Sequence, residues 1–400
     1  MRPTVLILCL VIFGAAGELL YWYKLQRRTP APSVQIPEIK WTKFLPSAGF
    51  YTSPIVGHDG GLYIADTEEV YSLDPSNALR WQYRVDLHDS IAGGLFQDER
   101  QNIYFTTWTQ MYSLGPSGLK RWQTSCSPGK IAGDDQGGTF DGSVVYSTCG
   151  QKFYARNRDD GKELWSMSNI DSETAPLMLN GGVLVFVRDR RMFAADRAGK
   201  TLWTYPDAAV STLDPRETTI DTPIAVGPDG TFYAGSRIGK FVAVDANGGV
   251  KWTVDGGNQA GYRTSPVVTS DGMIIVVTVQ GVATAFAADG TEKWRFWLPR
   301  AINWSPHAAP ILGSDGTIYV LAKQVLIALS AQGKFIWQLP LPGTLIGSPA
   351  LASDGTLYVA TAEGLIYAVQ TESHGLMQSI WPGSQYASSN SGRALGVTDK

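Results

Sequence analysis

Gly333-Lys334-Phe335-Ile336-Trp337 opens a stretch that continues through Gly347-Ser348-Pro349, Asp354-Gly355-Thr356-Leu357-Tyr358-Val359-Ala360 and Gly364-Leu365-Ile366-Tyr367-Ala368-Val369. It reads as short apolar strands of alternating pattern between tight turns. Asp-Gly supplies the positive φ that a two-residue hairpin requires. Ser-Pro opens a strand at a place where a missing N–H is tolerated. The rest of the chain largely copies this stretch.

A small residue in the third strand recurs at Ser72, Ser113, Ala155, Ala194, Ala243, Ala285, Ala328 and Ala368. A tryptophan follows at Trp81, Trp122, Trp165, Trp203, Trp252, Trp294 and Trp337, nine residues on in six copies and ten in one. Asp-Gly or Asn-Gly marks the first hairpin at residues 59, 141, 180, 229, 271, 315 and 354, and the second copy has the looser Asp98-Glu99-Arg100-Gln101-Asn102. A Ser/Ala/Thr-Pro opening is missing from the copies that start near Ile91 and Ile131. Each unit is four short strands, A to D, and buries both faces only by packing against neighbours around an axis. The expected fold is all-β, an eight-bladed β-propeller of four-stranded antiparallel blades.

The eighth copy lacks its tryptophan, since Met377 lies nine residues beyond Ala368. Upstream, Lys40-Trp41-Thr42 precedes Tyr51-Thr52-Ser53-Pro54 as Lys251-Trp252-Thr253 precedes Arg263-Thr264-Ser265-Pro266. Trp41 is therefore expected to sit on an N-terminal strand that completes the last blade and removes an open edge. The other reading gives that blade its own fourth strand over residues 376–380.

The first residues differ in character. Arg2 precedes an apolar run from Val5 to Phe13, then Gly14-Ala15-Ala16-Gly17 and Glu18, as in a secretory signal peptide. Alternatively residues 4–23 form an uncleaved anchor, with Tyr21-Trp22-Tyr23 at the interface. The expected organisation is a leader at 1–28, a Pro-rich linker at 29–37, the propeller at 38–382 and a tail at 383–400. Either form of the leader implies export to the periplasm or cell envelope, with a tether to the inner membrane if residues 4–23 remain. Cys126 and Cys149 stay paired in number beyond the leader. An exported protein allows them a disulfide, worth about 3 kcal/mol for such a loop. Two separate buried thiols are the other reading, because spacing does not fix geometry.

These residues resemble the pyrroloquinoline-quinone-like repeat from about Glu38 to Val369. Trp381-Pro382, followed by Tyr386, Ser388 and Asn390-Ser391-Gly392-Arg393, is similar to a tail common in that family. The resemblance implies an eight-bladed propeller and leaves activity open. The repeat occurs in quinoprotein dehydrogenases and in the BamB-type scaffold of outer-membrane β-barrel assembly. The dehydrogenases are typically longer, and many carry an adjacent Cys-Cys pair that this sequence lacks. They also need carboxylates converging on calcium, whereas the inner strands here read Pro54-Ile55-Val56, Pro223-Ile224-Ala225, Pro266-Val267-Val268 and Pro349-Ala350-Leu351. Asp134-Asp135 offers a pair of acids, read more simply as a solvated turn. His58, His88, His307 and His374 show no metal-ligand spacing. No catalytic residue, metal or cofactor is expected.

In an antiparallel blade the A–B and C–D turns share one face, and the B–C turns and D–A links share the other. Short Asp-Gly and Gly-Lys turns keep the first face uniform, so partner-binding residues are expected on the second. The link read as Arg295 to His307 carries Trp297, Arg300, Trp304 and His307, and Trp and Arg are enriched at interface hot spots. Plugging the space between two blades is the structural alternative for Trp297 and Trp304. Basic residues Lys152, Arg188, Arg190, Arg191, Arg237 and Lys240 fall on one arc, and Glu68, Glu69 and Glu363 on the other. Solvated surface charge is the plain alternative to a dipolar docking face. A net charge of −3 gives no electrostatic case for nucleic acid. The expected function is a non-enzymatic, monomeric scaffold that binds protein at the cell envelope and meets the membrane only through its leader. A quinone- or metal-dependent oxidoreductase and a carbohydrate or small-ligand sensor are the alternatives.

Overall fold

The computed structural model describes residues 36–46, 49–50, 52–127, 137–168, 174–207, 219–220, 222–236, 239–255, 261–262, 264–299 and 308–383. Residues 1–28, most of the linker and the tail beyond 383 lie outside the described residues. Eight four-stranded antiparallel sheets form a ring, an eight-bladed β-propeller. Blades 1 to 7 span 55–84, 96–125, 138–168, 177–205, 225–255, 267–297 and 311–340. Blade 8 combines 345–370 with the N-terminal strand Ile39–Phe44.

The apolar core lies between blades rather than within them. Ile55, Tyr63 and Ala65 of blade 1 share one cluster with Ile103, Phe105 and Tyr112 of blade 2. The middle strands are covered on both sides and read as continuous buried runs, such as Leu62–Ala65, instead of alternating. The outer D strands of blades 1, 5 and 6 alternate, because one of their faces meets solvent. The third copy's inner strand is Gly138–Asp141, later than a start near Ile131, which falls outside the described residues. In the second copy Gln101, at φ 65°, takes the place that glycine holds elsewhere, as Gly60 does in blade 1 at φ 74°.

Register explains the repeat. Each small residue lies directly across from its tryptophan: Ser72 from Trp81, Ser113 from Trp122, Ala155 from Trp165 and Ala194 from Trp203. Ala243, Ala285 and Ala328 face Trp252, Trp294 and Trp337 in the same way. Directly opposed side chains share a face of the sheet at close range, so a small partner makes room for the indole. The indole then reaches the next blade. Trp81 Nε1 donates to Pro116 O at 2.9 Å, Trp122 to Arg158 O at 3.0 Å and Trp252 to Ala288 O at 2.8 Å. Trp165, Trp203 and Trp294 repeat the bond to Arg197, Ala246 and Ala331. The ring lies against the C–D turn glycine of that blade. A Cβ on Gly290 would come within 2.8 Å of Trp252. The recurring Gly-Lys of the sequence is thus the floor of a socket.

Trp41 sits across from Ala368, with its ring 5.7 Å from Tyr358, as Trp81 stands 5.8 Å from Tyr63. The residue before the tryptophan also repeats its role. Lys40 reaches Asp354, Arg80 reaches Asp59 and Lys251 reaches Asp229, each tying strand D to the first hairpin of its own blade. Closure by the N-terminal strand thus shares the register, ring contact and ion pair of the interior blades, although the buried Trp41 Nε1 has no hydrogen-bond partner among the described residues, and residues 376–380 form no fourth strand. Burial alone would raise Asp59, Asp229 and Asp354, but the turn N–H and the partner cation outweigh it and leave all three below the ordinary aspartate range. A depressed carboxyl stabilises the fold at neutral pH, and that contribution fades as the pH falls through the lowered value. The thermal midpoint of the wild type should therefore fall more steeply below about pH 4 than that of an Asp59→Asn/Asp229→Asn/Asp354→Asn variant. Parallel pH profiles would refute the assignment.

Beyond Gln370 the chain leaves the blades and crosses the ring's inner wall. Ser373 Oγ bonds with Asp315 and with Tyr319, and Ser314 N donates to Gly375 O at 2.9 Å. Val268 N donates to Trp381 O at 2.7 Å, and Leu312 N to Pro382 O at 2.8 Å. Val267–Val268 and Ile311–Leu312 are the innermost strands of blades 6 and 7, so these bonds fall on edges that face the axis. Trp381 is 2 % exposed and shares a cluster with Ile224, Val226 and Val268. Cys126 and Cys149 are joined in a disulfide with Cα atoms 5.5 Å apart, linking the end of blade 2 to the B–C turn of blade 3.

Candidate functional site

The B–C and D–A face divides into three sectors. On blades 6 to 8 the strand-D residue nearest this face is apolar. Trp297 lies across from Val282, Pro340 from Val325 and Phe44 from Leu365. In blades 1, 2, 3 and 5 the same register holds Arg84, Ser125, Ser168 and Asp255. Trp297 is 68 % exposed, so it does not plug an interblade gap. It also ends strand Glu292–Trp297 instead of belonging to the link, because pairing with Val282 carries the ladder one residue further than turn spacing suggests. Phe296 likewise belongs to the strand. Arg300, Trp304 and His307 lie outside the described residues, as do Asp134-Asp135.

The basic sector covers blades 3 to 5. Arg188 ends one strand of the blade 4 hairpin and Arg191 begins the next, paired across a turn of Asp189 and Arg190 at φ 49° and 58°. The Arg188 guanidinium lies over Phe193, 5.6 Å from the ring centre, with Nε 3.4 Å from Asp189. Arg190 O accepts from Ile220 N at 2.8 Å, which holds the turn to the following link. Lys152 and Lys240 begin the C strands of blades 3 and 5. Arg237 lies outside the described residues.

The acidic sector lies on blades 1 and 2. Asp66 is buried and accepts from the N–H groups of Glu68 and Glu69. Burial raises its carboxyl despite those bonds, and Glu69 alongside adds to the rise. Arg84 pairs with both Glu68 and Glu69. Glu363 is drawn into a structural role instead, accepting from Thr344 N at 2.8 Å and Thr344 Oγ1 at 2.7 Å. Sequence spacing passed over Asp86, Leu87, Asp89 and Trp108 in this sector. Trp108 stands outside the eight-fold tryptophan pattern, and that irregularity was the available signal.

The described residues do not fit a quinone–metal centre at the axis. Trp381 and the tail backbone take that side of blades 6 and 7, and no group of three His, Cys, Asp or Glu residues converges among the described residues. His58, His88 and His374 are exposed and sit in separate turns.

A family model described as outer membrane protein assembly factor BamB matches residues 110–253, 208–345 and 281–376. No curated protein sequence matches the chain. Among solved structures, BamB from Moraxella catarrhalis is similar at 19 % identity and TM-score 0.67, over 84 % of this chain and 100 % of that one. The C-terminal WD40 domain of Sif2 is similar at 9 % identity and TM-score 0.66, over 84 % and 99 %. A europium-containing methanol dehydrogenase is similar at 15 % identity and TM-score 0.61, over 82 % and 86 %. At these identities the likeness is one of fold.

Proposed function

Since the chain belongs to the family described as outer membrane protein assembly factor BamB, we propose that it is a non-enzymatic scaffold of the cell envelope. Its protein partner docks on the B–C and D–A face. The exposure of Trp297 carries this reading: a large aromatic stands in solvent at a register that four other blades give to polar residues. A protruding Trp flanked by charge is the composition of an interface hot spot. Separation of basic and acidic sectors on the same face would set the orientation of a charged partner. The tail along the inner wall of blades 5 to 7, with Trp381 buried there, supports a binding role over an oxidoreductase. Secretion or anchoring through residues 1–28 completes the proposal and places the propeller beyond the inner membrane.

The test is a pull-down from detergent-solubilised envelopes with the wild type and a Trp297→Ala/Arg300→Ala/Trp304→Ala variant of equal thermal midpoint. A partner captured by the wild type and lost from the variant is expected. Capture by neither, together with a quinone-like chromophore or calcium in the purified protein, would overturn the scaffold reading.

A further inference from the structure

The acidic sector contains two apolar side chains that the repeat does not explain. Trp108, 48 % exposed, occupies the tip of the B–C turn in blade 2, where blades 1, 6 and 8 carry Thr67, Val279 and Ala362. Leu87, 84 % exposed, stands on the link from blade 1 to blade 2. Neither residue lies in a strand of a blade, and the backbone at both is held firmly. Val85 N donates to Glu68 O at 2.9 Å and Ile91 N to Thr67 O at 2.7 Å, fixing the link to blade 1. Trp108 N donates to Ser90 O at 3.1 Å, and Thr109 Oγ1 to Asp89 at 2.8 Å, fixing the link to blade 2. Asp86 accepts from Gln123 Nε2 at 3.1 Å and Tyr112 OH at 3.3 Å. Leu87 and Trp108 are therefore presented on segments hydrogen-bonded to one another, ready to bind at little ordering cost.

The surrounding charge selects the occupant. Glu68, Glu69, Asp86 and Asp89 lie on the same turn and link as the pair, and Arg84 is the cation among the described residues of these segments. Such a surface repels nucleic acid and anionic lipid and attracts cations. We propose that this sector of blades 1 and 2 docks a cationic segment of a partner protein, with Leu87 and Trp108 receiving an apolar residue set between its lysines or arginines. The site names the chemistry of a partner segment and is separate from Trp297, so it stands or falls apart from the pull-down above.

The probe is a fluorescein-labelled dodecapeptide of alternating lysine and leucine, followed by fluorescence anisotropy on the full chain at low and physiological salt. Saturable binding is expected, at least tenfold weaker for a lysine–serine peptide and absent for a glutamate–leucine peptide. Leu87→Ser/Trp108→Thr should lose at least tenfold in affinity, and Leu87→Ser alone should lose part of it. Glu68→Gln/Asp86→Asn should weaken binding and flatten its salt dependence, whereas Glu163→Gln/Glu372→Gln, on the opposite side, should not. Equal affinity in the Leu87 and Trp108 variants overturns the proposal, as does equal loss in both charge variants. So does flotation with anionic phosphatidylglycerol vesicles that depends on Trp108, which would make the surface lipid-facing. Self-association in sedimentation that disappears in Trp108→Thr overturns it too, by giving the surface to a second copy.

Discussion

Trp41→Ala is expected to destabilise the ring by about 2–3 kcal/mol, below the range for a fully buried aromatic because the indole is half-buried. The indole pairs with Ala368, approaches Tyr358 and packs, half-buried, against the cluster that joins blades 8 and 1. Deleting residues 38–45 should do more. It removes every ladder bond on the outer edge of Leu365–Gln370, with the Lys40 contacts to Asp354 and Thr356. It also leaves a long apolar strand edge open to pairing with other chains. Chemical denaturation followed by tryptophan fluorescence measures the loss, and a synthetic peptide of residues 36–46 in excess should restore part of it. A deletion variant as stable as the wild type would show that the strand is an ornament on an already closed ring.

Trp381→Ala is expected to cost more, about 3–5 kcal/mol, because the side chain is fully buried although it belongs to no blade. Its indole is buried beside the inner strands of blades 5 and 6, and its carbonyl satisfies the Val268 N–H. Truncation after Thr371 would also strip Leu312 of the bond it donates to Pro382 and leave Asp315 without the Ser373 hydroxyl that donates to it. Unsatisfied inner-edge N–H groups then face water along the axis. The truncated protein should bind an environment-sensitive apolar dye that the wild type excludes, with a lower thermal midpoint. Trp381→Phe keeps the backbone bond and most of the apolar area, so it should retain most of the stability. An unchanged midpoint in Trp381→Ala would show that the indole contributes nothing to the inner wall.

Blade number, strand order and the closing strand were all legible, and for one reason. The spacing from Ala243 to Trp252 or from Ser72 to Trp81 follows from a cross-strand register and a bulge that the fold cannot vary without losing the socket on the next blade. What the repeat does not constrain was harder to read. Glu363 looked like free surface charge and instead caps Thr344, a contact made across a link whose path no local pattern encodes. Trp297 and Trp108 carry the same residue type as the docking tryptophans, and only their register shows that they point into solvent. The tail at Trp381-Pro382 was recognisable as a motif, but its place on the inner strands depends on the whole ring.

Lys40 and Asp354 are 314 residues apart, which sets an order of events for every molecule made. The strand synthesised first receives its partner only when the last blade has emerged, tens of seconds later at about 5–20 residues per second. Until then Trp41 and the ladder groups around it lack the strand they pair with in the finished ring. A chain broken off well before residue 370 keeps that edge unpaired. The fold therefore couples its closing strand to its last blade, since only a chain that extends to residue 370 can cover Trp41.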